Sequence, residues 1–140
     1  MKMIFLFLST MLLLASCSAQ LDERVFAKYP NGQVRVAQYF DKNDNCVKEI
    51  EYYDNGQVKM EGGMKDGKME GKWTAYFIYG RVQSHGYFEN GKRTGAAQVF
   101  HSNGNKCEEG FYKNGKHCGL WRFYNEQGTL VKEVDFGEIE

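Results

Sequence analysis

The sequence predicts an all-β protein: an elongated, twisted, single antiparallel sheet of tandem β-hairpins with a 24-residue period. Three observations predict it. Glycine recurs at one step along the chain, as Gly32, Gly56, Gly80, Gly104 and Gly128. Further columns keep the same step: Gly62, Gly86 and Gly110; Gly67, Gly91 and Gly115; Gly71, Gly95 and Gly119; and Lys68, Lys92 and Lys116. The stretches between turn signals are rich in Val, Tyr, Phe and Trp, which suit a pleated surface, and none shows helical periodicity. A supersecondary unit copied in tandem buries its apolar surface between neighbours and makes surfaces rather than catalytic pockets.

The chain opens Met1-Lys2 and then runs apolar over Met3–Leu8 and Met11–Ala15. A charged start followed by a short apolar stretch has the form of a secretory signal, and it is shorter than the roughly 20 apolar residues a spanning helix needs. The stretch ends Leu14-Ala15-Ser16-Cys17, which resembles a bacterial lipobox. That resemblance implies cleavage before Cys17 and lipidation of Cys17, with residues 1–16 as signal peptide, 17–24 as a lipidated tether and 25–140 as the repeat domain. Cleavage after Ala19, discarding Cys17, is the ordinary secretory alternative. By resemblance to the sorting pattern of Gram-negative lipoproteins, Ser18 after the cysteine, in place of an Asp, implies the outer membrane of a bacterial envelope. Losing Lys2 leaves 17 basic residues (18 − 1) against 18 acidic ones. That balance gives no basic excess for nucleic acid, and no charge run suits an anionic membrane surface.

Each copy reads strand, turn, strand, turn. Asp66-Gly67, Asn90-Gly91 and Asn114-Gly115 are dipeptides of two-residue type I′ hairpins, in which both central residues need positive φ. Asn31-Gly32, Asn55-Gly56 and Asn103-Gly104 mark the other turn, with Tyr79-Gly80 and Gln127-Gly128 in the same place. Centring the hairpin on Asp66-Gly67 predicts that Gly62 pairs with Gly71 and Met60 with Trp73, and likewise Gly86 with Gly95 and Gly110 with Gly119. Paired glycines leave a bare patch over which a ring such as Trp73 or Trp121 can lie, which explains glycines that are poor strand formers. One face then carries Val34, Val58, Val82, Phe40, Met64, Phe88, Tyr112, Trp73, Trp121, Val99 and Phe123, and is the expected core. The other carries Lys59, Gln83, Glu61, His85, Glu109, Lys72, Thr74 and Arg122, with aromatics Tyr39, Tyr87, Phe111, Tyr76, Phe100 and Tyr124. Such alternation is expected of an antiparallel sheet wet on one side.

The run Tyr-Tyr-x-Asn-Gly, then Gly-x-aromatic, x-Asn-Gly-Lys, x-x-Gly-x-Trp and aromatic-Tyr is met by Tyr52–Phe77 and Phe100–Tyr124. It resembles MORN repeats, and more closely the MORN-repeat-variant family of bacterial proteins, over about residues 25–136. Ala97 departs from it, standing where Trp73 and Trp121 stand. The first unit has Gln38, Asn43 and Val47 where later copies have glycine, as a cap would. The resemblance implies a sheet of successive hairpins, protein–protein or membrane-proximal scaffolding, and no catalysis by the repeats.

Chemistry is sparse. Cys46, Cys107 and Cys118 remain after maturation, an odd number. Cys46 and Cys118 lie three repeats apart, roughly 29 Å along the sheet, too far to bridge. Cys107 and Cys118 share a hairpin but oppose Arg122 and Phe111, so free thiols are expected. His85, His101 and His117 are out of phase with the repeat and read as surface histidines without a role. No Cys-x-x-Cys pair suggests a metal, no Ser-His-Asp or Cys-His arrangement a nucleophile, and no helix-opening glycine cluster a phosphate site. No cofactor is expected. At 15% of the chain, aromatics are frequent enough to serve packing and still leave a candidate partner surface at Tyr76, Tyr87, Phe111 and Tyr124, since Tyr and Trp are enriched at interface hot spots. The expected function is non-enzymatic: a lipid-anchored envelope protein whose sheet binds or scaffolds a protein partner. An antitoxin or immunity protein that covers a toxin is the alternative, and a glycan-binding protein a third reading.

Overall fold

The computed structural model describes residues 20–138; residues 1–16, expected to be a signal peptide, and Cys17, expected to be lipidated, lie outside the described residues. Ten strands follow one another: β1 (Asp22–Lys28), β2 (Val34–Phe40), β3 (Cys46–Tyr52), β4 (Val58–Lys65), β5 (Lys68–Tyr76), β6 (Val82–Glu89), β7 (Lys92–Phe100), β8 (Lys106–Lys113), β9 (Lys116–Tyr124) and β10 (Leu130–Asp135). They form one antiparallel sheet in sequence order, with every strand beside its chain neighbours. At about 4.8 Å per strand spacing the sheet is roughly 43 Å across. β1 starts within the stretch assigned to the tether. The all-β, open, hairpin-by-hairpin architecture is the expected one.

Two kinds of turn join the strands, alternating from β3 onward, while the β2–β3 turn at Asp41–Asn45 is of the longer kind like its neighbours. At Asp66-Gly67 both residues have positive φ, 50° and 72°, and Asn90-Gly91 and Asn114-Gly115 repeat this, as a type I′ turn demands. At Asn31-Gly32 only the glycine is left-handed (φ 87°). There the Gly32 N–H donates to Tyr29 O at 2.9 Å and the Tyr29 N–H to Gln33 O at 2.8 Å, a longer turn closed by a glycine bulge. The Asn side chain fixes this turn. Asn31 Oδ1 accepts from the Gln33 N–H at 3.0 Å, while Asn31 Nδ2 donates to Asp54 O of the next repeat at 2.9 Å. Asn55 and Asn103 reach Ile78 O and Glu126 O in the same way. The repeating asparagine therefore joins copies as well as shaping turns.

The predicted glycine pairing needs correction. Gly63 pairs with Glu70, but the residue before it in β4, Gly62, pairs with Trp73 and not with Gly71; Met60 pairs with Ala75. Gly71 has φ +71°, and Gly95 and Gly119 have +65° and +60°. These glycines are bulge residues, required for left-handed backbone, so Gly71 and Lys72 bulge out on β5 without partners on β4. The same shift separates His85/Gln98 from Tyr87/Thr94, and Glu109/Arg122 from Phe111/Cys118. Because side chains alternate with period two, a two-residue insertion leaves each residue on its expected face. The ring-over-glycine packing survives with its partner changed. A Cβ built on Gly62 would lie 2.3 Å from the Trp73 ring, and one on Gly110 2.3 Å from the Trp121 ring.

The expected one-sided core also needs correction. Among the described residues the buried apolar ones are Ala37, Ile50, Trp73, Ala97 and Trp121. Val34, Val58, Val82, Phe88, Val99 and Phe123 are only half-buried. The reason is that among the described residues no second layer covers the tryptophan face. Ala37 and Ile50, in turn, pair into the row that holds Glu61 on the opposite face. Packing is lateral, from strand to neighbouring strand, and both faces meet solvent.

Candidate binding surfaces

One row of paired residues crosses the face opposite the tryptophans: Ile50, Glu61, Thr74, His85, Gln98, Glu109, Arg122 and Glu133. Its carboxylates are engaged. Glu61 accepts from Lys48 Nζ at 2.8 Å and from the Tyr76 hydroxyl at 2.8 Å. Two repeats on, Glu109 accepts from Lys106 Nζ at 2.6 Å and from the Tyr124 hydroxyl at 2.7 Å. The lysine bonds, and after them the tyrosine bonds, hold both carboxyls below the usual range, against burial, which opposes ionisation. Burial and the Glu61 anion raise Tyr76, and the Glu109 anion raises Tyr124. In the repeat between them, His85 takes the glutamate's place and Phe100 the tyrosine's, with rings edge to face at 5.7 Å. His85 Nδ1 lies 3.3 Å from the Thr74 hydroxyl, and burial lowers its pKa.

The four aromatics singled out in the sequence do not form one ladder. Tyr76 and Tyr124 are half-buried, with their hydroxyls committed to Glu61 and Glu109. Tyr87 and Phe111 are open, 43% and 55% exposed, and stand two strands apart, about 10 Å. Tyr87 faces Lys72, four residues along β5 from Tyr76, so the two pairs are about 13 Å apart along the strands. The polar row separates them.

The histidines are more engaged than the sequence suggested. His101 Nε2 lies 2.9 Å from Tyr124 O, where Tyr29 and Tyr53 donate their hydroxyls to Tyr52 O and Tyr76 O. Each serves as a link from one repeat to the next. His117 packs its ring against Trp121 at 4.3 Å and Tyr112 at 4.8 Å. Column position within the repeat, rather than spacing between histidines, was the signal for these roles. Cys46, Cys107 and Cys118 are free, and burial raises the Cys46 and Cys107 thiols, which disfavours thiolate. Among the described residues no group of three or more His, Cys, Asp or Glu could hold a metal.

An open single sheet of hairpins, joined from repeat to repeat by side chains such as Tyr29, Asn55 and His101 that reach main-chain carbonyls of the next copy, defines a repeat protein with two faces open to solvent among the described residues. Two of its repeats, residues 46–66 and 93–114, match the MORN repeat variant, so the chain carries repeats of that kind. No curated protein sequence matches it. Among solved structures, it resembles the glycosylation-associated Gap123 complex from Streptococcus agalactiae, at 13% identity and a TM-score of 0.50, over 83% of this chain and 22% of that one. It also resembles the GtfA/B complex bound to UDP and GlcNAc, at 14% identity and a TM-score of 0.46, over 82% of this chain and 24% of that one. At these identities the first likeness is one of fold, and the chain spans less than a quarter of either structure's chain.

Proposed function

We propose that this protein is a non-enzymatic, lipid-anchored bacterial envelope protein whose repeat sheet binds a protein partner. MORN-variant repeats suggest a binding or scaffolding role. The observation that carries the reading is the state of the polar row. A general acid or base works best with its pKa near the operating pH, yet Glu61 and Glu109 are pulled further below it by their lysine and tyrosine partners. These groups stabilise the sheet rather than wait for a substrate proton. Beyond them, Tyr87 presents an open ring in a row with Lys72 and Thr94, and Phe111, opposite Ala96, presents another two strands on. That combination of aromatic and cation suits a partner's surface.

The anchor is read from Leu14-Ala15-Ser16-Cys17. Cys17→Ala should move the protein from the membrane fraction to the soluble periplasmic fraction; sedimentation with membranes unchanged would refute the anchor. The binding surface is tested separately. Crosslinking of the wild-type protein in intact cells should give an adduct that Tyr87→Ala/Phe111→Ala loses. An adduct unaffected by the double substitution would refute the role of this face. Identification of the captured protein as a toxin encoded beside this chain would favour the antitoxin reading instead.

A further inference from the structure

The repeats leave one position of the tryptophan face unfilled. In two repeats an indole lies on a glycine: Trp73 on Gly62, and Trp121 on Gly110. Each indole N–H donates to the main chain of the preceding strand, Trp73 Nε1 to Gly63 O at 2.9 Å and Trp121 Nε1 to Phe111 O at 3.1 Å. Between them the same column holds Ala97. A Cβ built on Gly86 would meet nothing within 4 Å, and Gly86 is not left-handed. Ala97 itself is buried, and beside it over Gly86 lies a notch near the middle of the sheet whose lining includes Met60, Trp73, Ser84, Gly86, Phe88 and Arg93. Two copies of the same local backbone show what fits it, because they hold an indole there. Ala97 offers no N–H to the carbonyl of Tyr87, the counterpart of Gly63 and Phe111.

The rim of the notch carries a cation. The Arg93 guanidinium carbon lies 5.6 Å from the Phe88 ring centre and 5.3 Å from that of Tyr112. Arg93 is exposed, and among the described residues no carboxylate pairs with it. An exposed guanidinium within reach of two rings is placed to receive a carboxylate and another aromatic group beside it.

We propose that this notch is the docking site for a tryptophan side chain next to a carboxylate, presented by a segment of a partner protein. The indole would lie on Gly86 between Trp73 and Phe88, its N–H directed to Tyr87 O, and the neighbouring Asp or Glu would meet Arg93. Shape and charge select the occupant together: the vacancy has the form of the sheet's own indoles, and its only rim charge of those six residues is positive. The site lies on the opposite face from the Tyr87 and Phe111 side chains, so it stands independently of them and of the lipid anchor.

The test titrates the mature protein with the blocked dipeptide N-acetyl-Trp-Asp-amide and follows amide resonances by two-dimensional NMR. Saturable shifts at Gly86, Tyr87, Phe88 and Arg93 are expected, with a dissociation constant on the order of millimolar, as for a small fragment in a shallow site. Ala97→Trp should fill the notch from within and abolish those shifts, and Gly86→Leu should block it from its floor. Arg93→Gln should weaken the Asp dipeptide about tenfold and leave the corresponding Trp-Asn dipeptide unchanged. Absence of saturable shifts at these residues, or shifts that persist in either folded blocking variant, would overturn the proposal. Equal loss of both dipeptides in Arg93→Gln would overturn the role of the carboxylate.

Discussion

Gly110 and Gly86 occupy the same column of the repeat, yet the same substitution should act on them in opposite directions. Alanine at Gly110 would place its Cβ 2.3 Å from the Trp121 ring, closer than any real contact, so the indole must lift. Trp121 is 2% exposed and donates to Phe111 O. Overpacking of this kind costs about 1–3 kcal/mol, and the lost hydrogen bond adds about 1 kcal/mol. Against this, Ala for Gly in a strand returns about 0.5–1 kcal/mol through the unfolded chain. The net expectation is a loss of about 1–3 kcal/mol. Alanine at Gly86 meets open space and keeps only the favourable part, about 0.5 kcal/mol. Denaturant unfolding followed by far-UV circular dichroism gives both values in one experiment. The two variants should straddle the wild type. If their midpoints coincide, Trp121 does not seat on Gly110 in solution and the ring-over-glycine account fails.

Three further outcomes follow from the same contacts. Asn103→Ala removes the bonds to Glu126 O and from the Asn105 N–H, at 2.7 and 2.9 Å, and should cost about 1–2 kcal/mol in denaturant unfolding, whereas Asn43→Ala, on the exposed turn between β2 and β3, should be near neutral. Glu109 has a folded pKa below its ordinary 4.5; a depressed carboxyl adds stability that is present above the unfolded value and lost as pH falls through the folded one, so the acid-induced loss of stability below about pH 4.5 should be shallower in Glu109→Gln. Tyr124→Phe should reproduce part of that flattening by removing one of the two bonds to the carboxylate. His85 has a folded pKa below 6.5, so the neutral ring is favoured in the fold and its contribution fades as pH drops below 6.5; His85→Gln should lose that segment of the pH–stability profile, and an NMR titration of His85 should show protonation at lower pH than a free histidine.

Much of this architecture was legible because the repeat places the same backbone demand at the same column. Asn90-Gly91 could be read as a type I′ turn without neighbours, since few other residues accept positive φ twice in succession. Gly71 was misread because a strand glycine has two explanations, a missing side chain or a left-handed φ, and the residue looks the same under both. The error did not propagate: a bulge of two residues preserves side-chain parity, so Glu61 and Trp73 kept their expected faces. The uncovered tryptophan face was not legible, because alternation records which residues share a face and says nothing of whether a second layer lies on it. Arg93 escaped notice for a related reason. An arginine beside a turn reads as solvated, and its place between Phe88 and Tyr112 emerges only when the strands are set side by side.

The two departures at the centre of the array carry different information. His85 and Phe100 replace Glu61 and Tyr76 together, and the replacement closes on itself: a carboxylate that needed a hydroxyl and a lysine gives way to a ring that needs another ring. Such a paired change keeps the face packed. Ala97 is different, because no neighbour grows to fill the space above Gly86. If stability alone shaped this column, tryptophan would be the favoured residue at 97, as it is at 73 and 121, since a buried indole with a main-chain acceptor stabilises by several kcal/mol relative to alanine. A thermal melt of Ala97→Trp therefore separates two accounts of the notch. A higher melting temperature means that the wild-type chain forgoes available stability at this position, which is expected where a surface is kept open for a partner. A melting temperature at or below that of the wild type means the third repeat's backbone no longer accepts an indole, and the notch is then not the vacant counterpart of the other two sites.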